Sequence, residues 1–278
     1  MFCNADDVEN HIPLAVKRVE GYLQTRHIRA TGVQPIFPKS YLSPFQFNMR
    51  KFAIYFLRFI ERFDNLRELS YKLSVPDFID IGSDSNLCLI KTVNALGHVN
   101  LLLEAKPEAK CILTVRYPCG YVASRMRQDK FSEKQSVIGK GLPRAEQARR
   151  RGLTLESIEA MSPLERLAWV WTVFNEKAME DVAGNPNVYL LRYEDLCQSP
   201  VQIARELIAF LELDWHPQVE AFLSNSTSSS QDKGGYSIVR NTRREIGKWK
   251  RELEQDQIQT IFDIVSDSLP GNLFRDSW

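Results

Sequence analysis

Residues 116–127 read RYPCGYVASRMR and follow directly on the apolar run CILTV at 111–115. The run has the length and continuous apolar character of a strand buried on both faces. It ends on Arg116, turns through Pro118, and carries Ser124 eight residues on. Pro118 suits the first position of a helix, where unpaired backbone N–H groups and the helix dipole favour an anion. Gly120 and Ser124 stand four apart, hence on one helical face. A guanidinium at a strand end offers a two-pronged contact to a phosphate, glycine leaves room beside it, and the serine hydroxyl reaches a further oxygen. The same residues also fit a surface arginine on a strand–helix turn, with a serine bonding back along its own helix.

Two further runs resemble 111–116. LCLIK at 87–91 and NVYLLRY at 187–193 are short, continuous and polar only at their ends. A helix-sized spacer at 96–106 separates the first from CILTV, and a longer helical stretch precedes the third. Strand, helix, strand, helices, strand predicts an α/β fold, a parallel β-sheet flanked by helices, with a helix-rich N-terminal part. Ligands in such sheets lie beyond the carboxyl ends of the strands. Lys91, Arg116, Arg192 and Tyr193 all fall there.

Three helices open with the same device. SPFQ at 43–46, SPLE at 162–165 and SPVQ at 199–202 each offer a capping box with proline at the first helical position. The first leads into Phe52, Phe56, Phe59, Ile60 and Phe63 at helical spacing, a stripe expected in the core. The second carries Leu167, Trp171 and Phe174 and is expected to stop near Gly184. The third carries Ile203, Leu207, Phe210 and Leu211. An earlier helix is expected over about 13–25, and SNSTSSSQDKGG at 224–235 reads as a loop.

At 278 residues the chain has the length of one large α/β domain, and a single domain is expected over 1–278. Lysine plus arginine number 36 against 35 aspartates and glutamates, so nothing global favours nucleic acid or a membrane, and any anion site is local. Neither partner is expected. The N-terminus lacks the layout of a signal peptide. Five scattered cysteines without a CxxC pair suit a reducing compartment, and a cytoplasmic location is expected. No histidine has metal-ligand spacing to cysteine or carboxylate, and no metal is expected. RAEQARRRG at 144–152 is read as a solvated helix face, or else as a lip that attracts an anion.

RYPCGYVASR resembles the 3′-phosphate-binding segment of sulfotransferases that use 3′-phosphoadenosine 5′-phosphosulfate (PAPS). Three other blocks resemble the family in the same order: IKT at 90–92, LLRYEDLCQSPVQIARELIAFLEL at 190–213 and RNTRREIGKWKREL at 240–253. Together they cover roughly 87–255. The resemblance implies a P-loop NTPase-like sulfotransferase fold and sulfuryl transfer from PAPS to a hydroxyl or amine of a small-molecule or carbohydrate acceptor, releasing 3′-phosphoadenosine 5′-phosphate. It implies that Arg116 and Ser124 grip the 3′-phosphate, Tyr193 lines the adenine pocket, and Arg240, Arg243 and Arg244 close over the phosphate end. Lys91 is implied at the transferring sulfate.

Two departures stand out. No Gly-x-x-x-x-Gly-Lys-Ser/Thr occurs anywhere, so the chain is expected to be truncated at its N-terminus and to lack the loop that holds the 5′-phosphosulfate. The position two residues past the lysine, where small-molecule members carry their catalytic histidine, is Val93. His98 is the nearest alternative base, although a lone histidine there is more often a packed or solvated helix residue, and the base equally fits the missing N-terminal segment. Two other readings stand beside the enzyme: a non-catalytic nucleotide-binding member of the same fold, and a P-loop-fold nucleoside or sugar kinase, which needs Glu194 and Asp195 as magnesium-binding acids.

Overall fold

The computed structural model describes residues 8–24, 28, 36, 42–76, 78, 89–93, 95–127, 141–228 and 246–278. The chain divides into two compact units, Leu14–Thr92 and a larger one formed by Met1–Pro13 with Val93–Trp278.

Helix α1, Val8–Gln24, starts ahead of the expected position and takes Pro13 into its interior. The smaller unit holds most of it, with α2 (Pro44–Ile60) and α3 (Asp64–Lys72). The capping box at Ser43 forms as the sequence predicts: Gln46 N–H donates to Ser43 Oγ at 3.3 Å and Ser43 N–H to Gln46 Oε1 at 2.9 Å. The phenylalanine stripe, however, is not the core. Phe52, Phe56, Phe59 and Phe63 are exposed, and only Ile60 of the expected set is buried. Helix α2 has two apolar faces, one aromatic and one aliphatic, so periodicity alone cannot say which turns inward. The aliphatic face wins: Ile54, Leu57 and Ile60 close on Ile28 and Val75. Buried Arg50 beside them donates to Pro76 O at 2.8 Å, which satisfies part of its guanidinium.

The larger unit carries the sheet. After a short 3₁₀ turn (Leu96–His98) come α4 (Val99–Ala105), β1 (Cys111–Val115) and α5 (Pro118–Met126). Then follow α6 (Glu146–Arg150), α7 (Leu155–Ala160), α8 (Pro163–Asp181), β2 (Val188–Arg192), α9 (Tyr193–Gln198) and α10 (Pro200–Phe210). Helices α11 (Pro217–Ser228), α12 (Gln255–Val265) and α13 (Leu269–Asn272) close the chain. Strands β1 and β2 pair in parallel, from Cys111 opposite Val188 to Val115 opposite Arg192. This is the expected parallel sheet with helices around it. The strand expected at 87–91 is not seen: Leu89, Ile90 and Lys91 are exposed and outside any strand, and 87–88 lie outside the described residues. A strand without a paired neighbour leaves its backbone groups to water, so an apolar run alone does not make one.

Helix α8 organises this unit. Its Leu167, Ala168 and Trp171 bury against Val115, Tyr117, Val122, Trp249 and Phe274. Farther along, Ala178 and Val182 bury against Val99, Leu103 and Leu113. It therefore runs antiparallel to β1, and Gly184 beyond its end takes a φ of 74°, the left-handed conformation a helix stop requires. The SPVQ box does not form: Ser199 makes no side-chain cap bond, because its N–H already closes α9 on Asp195 O at 2.9 Å. That bond holds its backbone away from the extended conformation a cap needs. Helix α11 runs to Ser228, into the stretch expected as a loop, and 229–235 lie outside the described residues.

Candidate functional site

Sequence and register meet at the carboxyl end of the sheet. Arg116 and Tyr193 each follow the last residue of a paired strand, so the parallel register places them side by side. The Arg116 guanidinium lies over the Tyr193 ring, 5.2 Å from its centroid. A cation over an aromatic face is held in direction without its N–H donors being spent. On its other side Arg116 crosses Gly120: a Cβ there would come within 3.2 Å of Arg116 Nε and 3.6 Å of its Nη2. Glycine is what lets the side chain lie flat against the helix. Ser124 is one turn farther along α5 on the same face and half-buried. Helix α5 begins with Pro118, whose missing N–H costs nothing at a first turn.

Two buried side chains fix this turn. Trp171 Nε1 of α8 donates to Arg116 O at 2.9 Å, and Tyr117 N–H donates to Glu194 Oε1 at 3.0 Å. Both backbone groups flanking the bend are thus satisfied inside the protein, and the arginine leaves the strand end from a fixed base. The sequence pointed to Trp171 only as core and to Glu194 only as an acid for metal. Their shared task depends on strand register, which residue order does not reveal.

At the same strand ends opens a cavity of about 600 Å³ lined by Tyr117, Arg192, Glu194, Gly247, Trp249 and Ser277 among others. Tyr117 stacks on Trp249 at 5.0 Å between ring centroids. Burial pushes the Glu194 carboxyl above its ordinary range, against the Tyr117 and Glu194 backbone N–H groups and the positive charge of Arg116 and Arg192, which pull it down. Glu194 Oε2 is buried and makes no hydrogen bond among the described residues. Burial also raises the Tyr117 phenol, and pushes the Cys119 thiol up to about 12. Cys111 is half-buried and Cys119 and Cys197 are buried, the core or near-core placement expected of them. Glu194, one of the two acids the kinase reading requires, is committed to Tyr117 N–H, and Asp195 lies 3.8 Å from Arg192 Nε.

The other expected site residues are placed as follows. Lys91 is exposed and belongs to the smaller unit. His98 ends the 3₁₀ turn ahead of α4, not a helix. Its neighbours Leu96 and Val99 pack with Cys111 and Val188, the residues that open the two strands. The backbone N–H of Asn100 donates to the Asp181 carboxylate there. The structure thus sets this segment toward the amino ends of the sheet, with Arg116 at the carboxyl ends. Arg240, Arg243 and Arg244 lie outside the described residues. In the basic run at 144–152, Arg150 pairs with Glu180 at 2.6 Å and Arg151 with Glu176, so both are tied to α8.

Known proteins share part of this sequence. It matches the profile of the Sulfotransferase family over residues 4–217. It is 37% identical over 62 residues to carbohydrate sulfotransferase 3 of Homo sapiens, a stretch that is 22% of this chain and 13% of that protein. To carbohydrate sulfotransferase 1 of Danio rerio it is 30% identical over 86 residues, 29% of this chain and 20% of the relative. The matched stretches are thus at most a fifth of these relatives' length. No solved structure matches the chain.

Proposed function

The chain belongs to the sulfotransferase family, and from that premise we propose that it transfers a sulfuryl group from PAPS to a hydroxyl of a carbohydrate. The observation that carries the donor is the Arg116 guanidinium, stacked on Tyr193 and lying across Gly120 at the carboxyl end of the sheet. This arrangement fits a nucleotide with a phosphate beside its base. Arg116 and Ser124 bind the 3′-phosphate, and Tyr193 borders the adenine. Lys91 is assigned to the transferring sulfuryl group. Arg240, Arg243 and Arg244 are assigned to the phosphate end. PAPS, when bound, supplies an activated sulfuryl group; the chain's part is to hold its charge and aim it. In the transfer the acceptor oxygen bonds to sulfur as the bond from sulfur to the phosphate oxygen breaks. The hydroxyl proton leaves to a base, and 3′-phosphoadenosine 5′-phosphate departs. The names of the similar proteins, both carbohydrate sulfotransferases, support the choice of a carbohydrate acceptor.

A thermal-shift titration with 3′-phosphoadenosine 5′-phosphate tests the donor, with 5′-AMP as control. A ligand at a hundred times its dissociation constant stabilises the fold by about 2.7 kcal/mol. The expected shift needs the 3′-phosphate, disappears in Arg116→Ala and weakens in Gly120→Ala. The alanine at 120 leaves the helix as stable as before or slightly more so, because it is the better helix former. An equal shift with 5′-AMP, or one that survives Arg116→Ala, rules out the assignment. Mass analysis of an oligosaccharide mixture after incubation with PAPS tests the acceptor, where the addition of one sulfuryl group is expected with the wild type and not with Lys91→Ala.

A further inference from the structure

Helix α2 turns an aromatic face outward. Phe45, Met49, Phe52, Phe56, Phe59 and Phe63 follow one another at intervals of four, three, four, three and four, one continuous stripe. All six are exposed, Phe45 by 76% and Phe52 by 71%. Their rings are already clustered: Phe52 and Phe56 stack at 6.4 Å, and Phe59 meets Phe63 edge-on at 5.2 Å. Each large apolar side chain left in water forgoes the favourable free energy of burial. A contiguous exposed stripe of this kind marks a surface that another apolar phase covers.

Charge selects the phase. Lys51 and Arg62, both exposed and eleven residues apart, stand along one edge of the aromatic stripe, with half-exposed Tyr55 between the two. The helix itself, PFQFNMRKFAIYFLRFI, contains no aspartate or glutamate. The nearest acids beyond it are engaged: Glu61 accepts from Tyr71 Oη at 3.3 Å and Asp64 pairs with Arg67 at 2.5 Å. A second copy of the chain laid on this face brings cation against cation with no acid of the helix to meet them. An anionic lipid surface meets both stripes at once.

We propose that α2 lies in the interfacial layer of an anionic phospholipid membrane, its phenylalanines among the upper acyl chains and its cations on the lipid phosphates. No helix among the described residues is long and apolar enough to cross a membrane, and the attachment proposed for α2 is peripheral. The near balance of charge over the whole chain, which led to the expectation of no membrane partner, hides this local positive edge.

Sedimentation of the full chain with vesicles tests it. Equimolar phosphatidylcholine and phosphatidylserine vesicles are expected to carry the protein down at low salt, phosphatidylcholine vesicles much less, and added salt to release it. Lys51→Gln and Arg62→Gln are each expected to weaken binding roughly 5-fold, the equivalent of about 1 kcal/mol per cation. Phe52→Ser with Phe56→Ser is expected to abolish it while leaving the melting temperature unchanged. Three results overturn the proposal. One is equal binding, or none, to the two vesicle types. Another is a concentration-dependent dimer that the serine variants dissolve, which assigns the face to a second copy. The third is a fall of several degrees in the serine variants' melting temperature, which means the chain itself covers the stripe.

Discussion

Helices α2 and α8 begin alike and end differently. Each starts on a Ser-Pro dipeptide, each closes a capping box of the same geometry, and they run to 17 and 19 residues. Yet α8 buries eleven residues and α2 only four. Helix α8 is enclosed by β1, α4, α5 and α12, and even its charged Glu176 and Lys177 are buried, Lys177 in an ion pair with Asp181 at 2.7 Å. Helix α2 rests on one small aliphatic cluster and leaves its aromatic side outside. The local code for starting a helix is thus separate from the global code for burying one. Capping depends on four consecutive residues, whereas burial depends on what else the fold brings near.

The sharpest way to break the comparison is to cut one aromatic from each helix. Trp171→Ala is expected to cost about 3–5 kcal/mol, because it opens a cavity between β1 and Phe274 and frees the Arg116 carbonyl. Phe52→Ala is expected to stay within about 0.5 kcal/mol, as exposed substitutions do. Paired denaturant titrations measure both. Equal losses would mean that the aromatic face of α2 is buried after all.

The shared caps give the next effect. Ser43→Ala and Ser162→Ala are each expected to cost about 1 kcal/mol, whatever the burial of the helix behind them. Acid then separates the two. Glu165, which accepts from Ser162 N–H at 2.8 Å, has its carboxyl held below the ordinary range by hydrogen bonds from Ser162. Its contribution is therefore complete above the ordinary glutamate range and is lost as pH falls through the depressed value. Gln46, its counterpart in α2, does not titrate. The loss caused by Ser162→Ala should shrink in acid while that of Ser43→Ala stays constant, a pattern that melting curves across pH reveal.

The smallest expected effect is at Glu194, and its sign is opposite. Burial raises this carboxyl, so the folded state holds its proton to higher pH than the unfolded chain does. Stability from this group is highest below its unfolded value and declines as pH rises through the raised one. Glu194→Gln keeps an acceptor for Tyr117 N–H and carries no charge, so it should flatten that decline and stabilise the protein slightly at neutral pH. A variant whose melting temperature falls with pH as steeply as the wild type's would place the cause elsewhere.

How far the sequence reaches can be judged residue by residue. The run 111–115, the proline turn and the spacing from Arg116 to Ser124 were all legible, because each depends on near neighbours in the chain. The SPFQ and SPLE caps were legible for the same reason. SPVQ was not: Ser199 also ends the preceding helix, and one backbone cannot serve both conformations. The run at 87–91 looked like a strand, yet its described residues, Leu89 to Lys91, lie outside any strand, since pairing is not a property of the run itself.

The sequence by itself determined where α2, α8, α10 and the two paired strands begin, and which residues stand at the carboxyl ends of those strands. These follow from backbone preference and local hydrogen bonding. Only the tertiary structure decided that Arg116 rests on Tyr193, that Trp171 and Glu194 hold the bend beneath it, and that α2 turns its phenylalanines outward. Those outcomes join residues 55 and 77 positions apart or compare two apolar faces of one helix, and no local preference ranks such alternatives. Register and packing do.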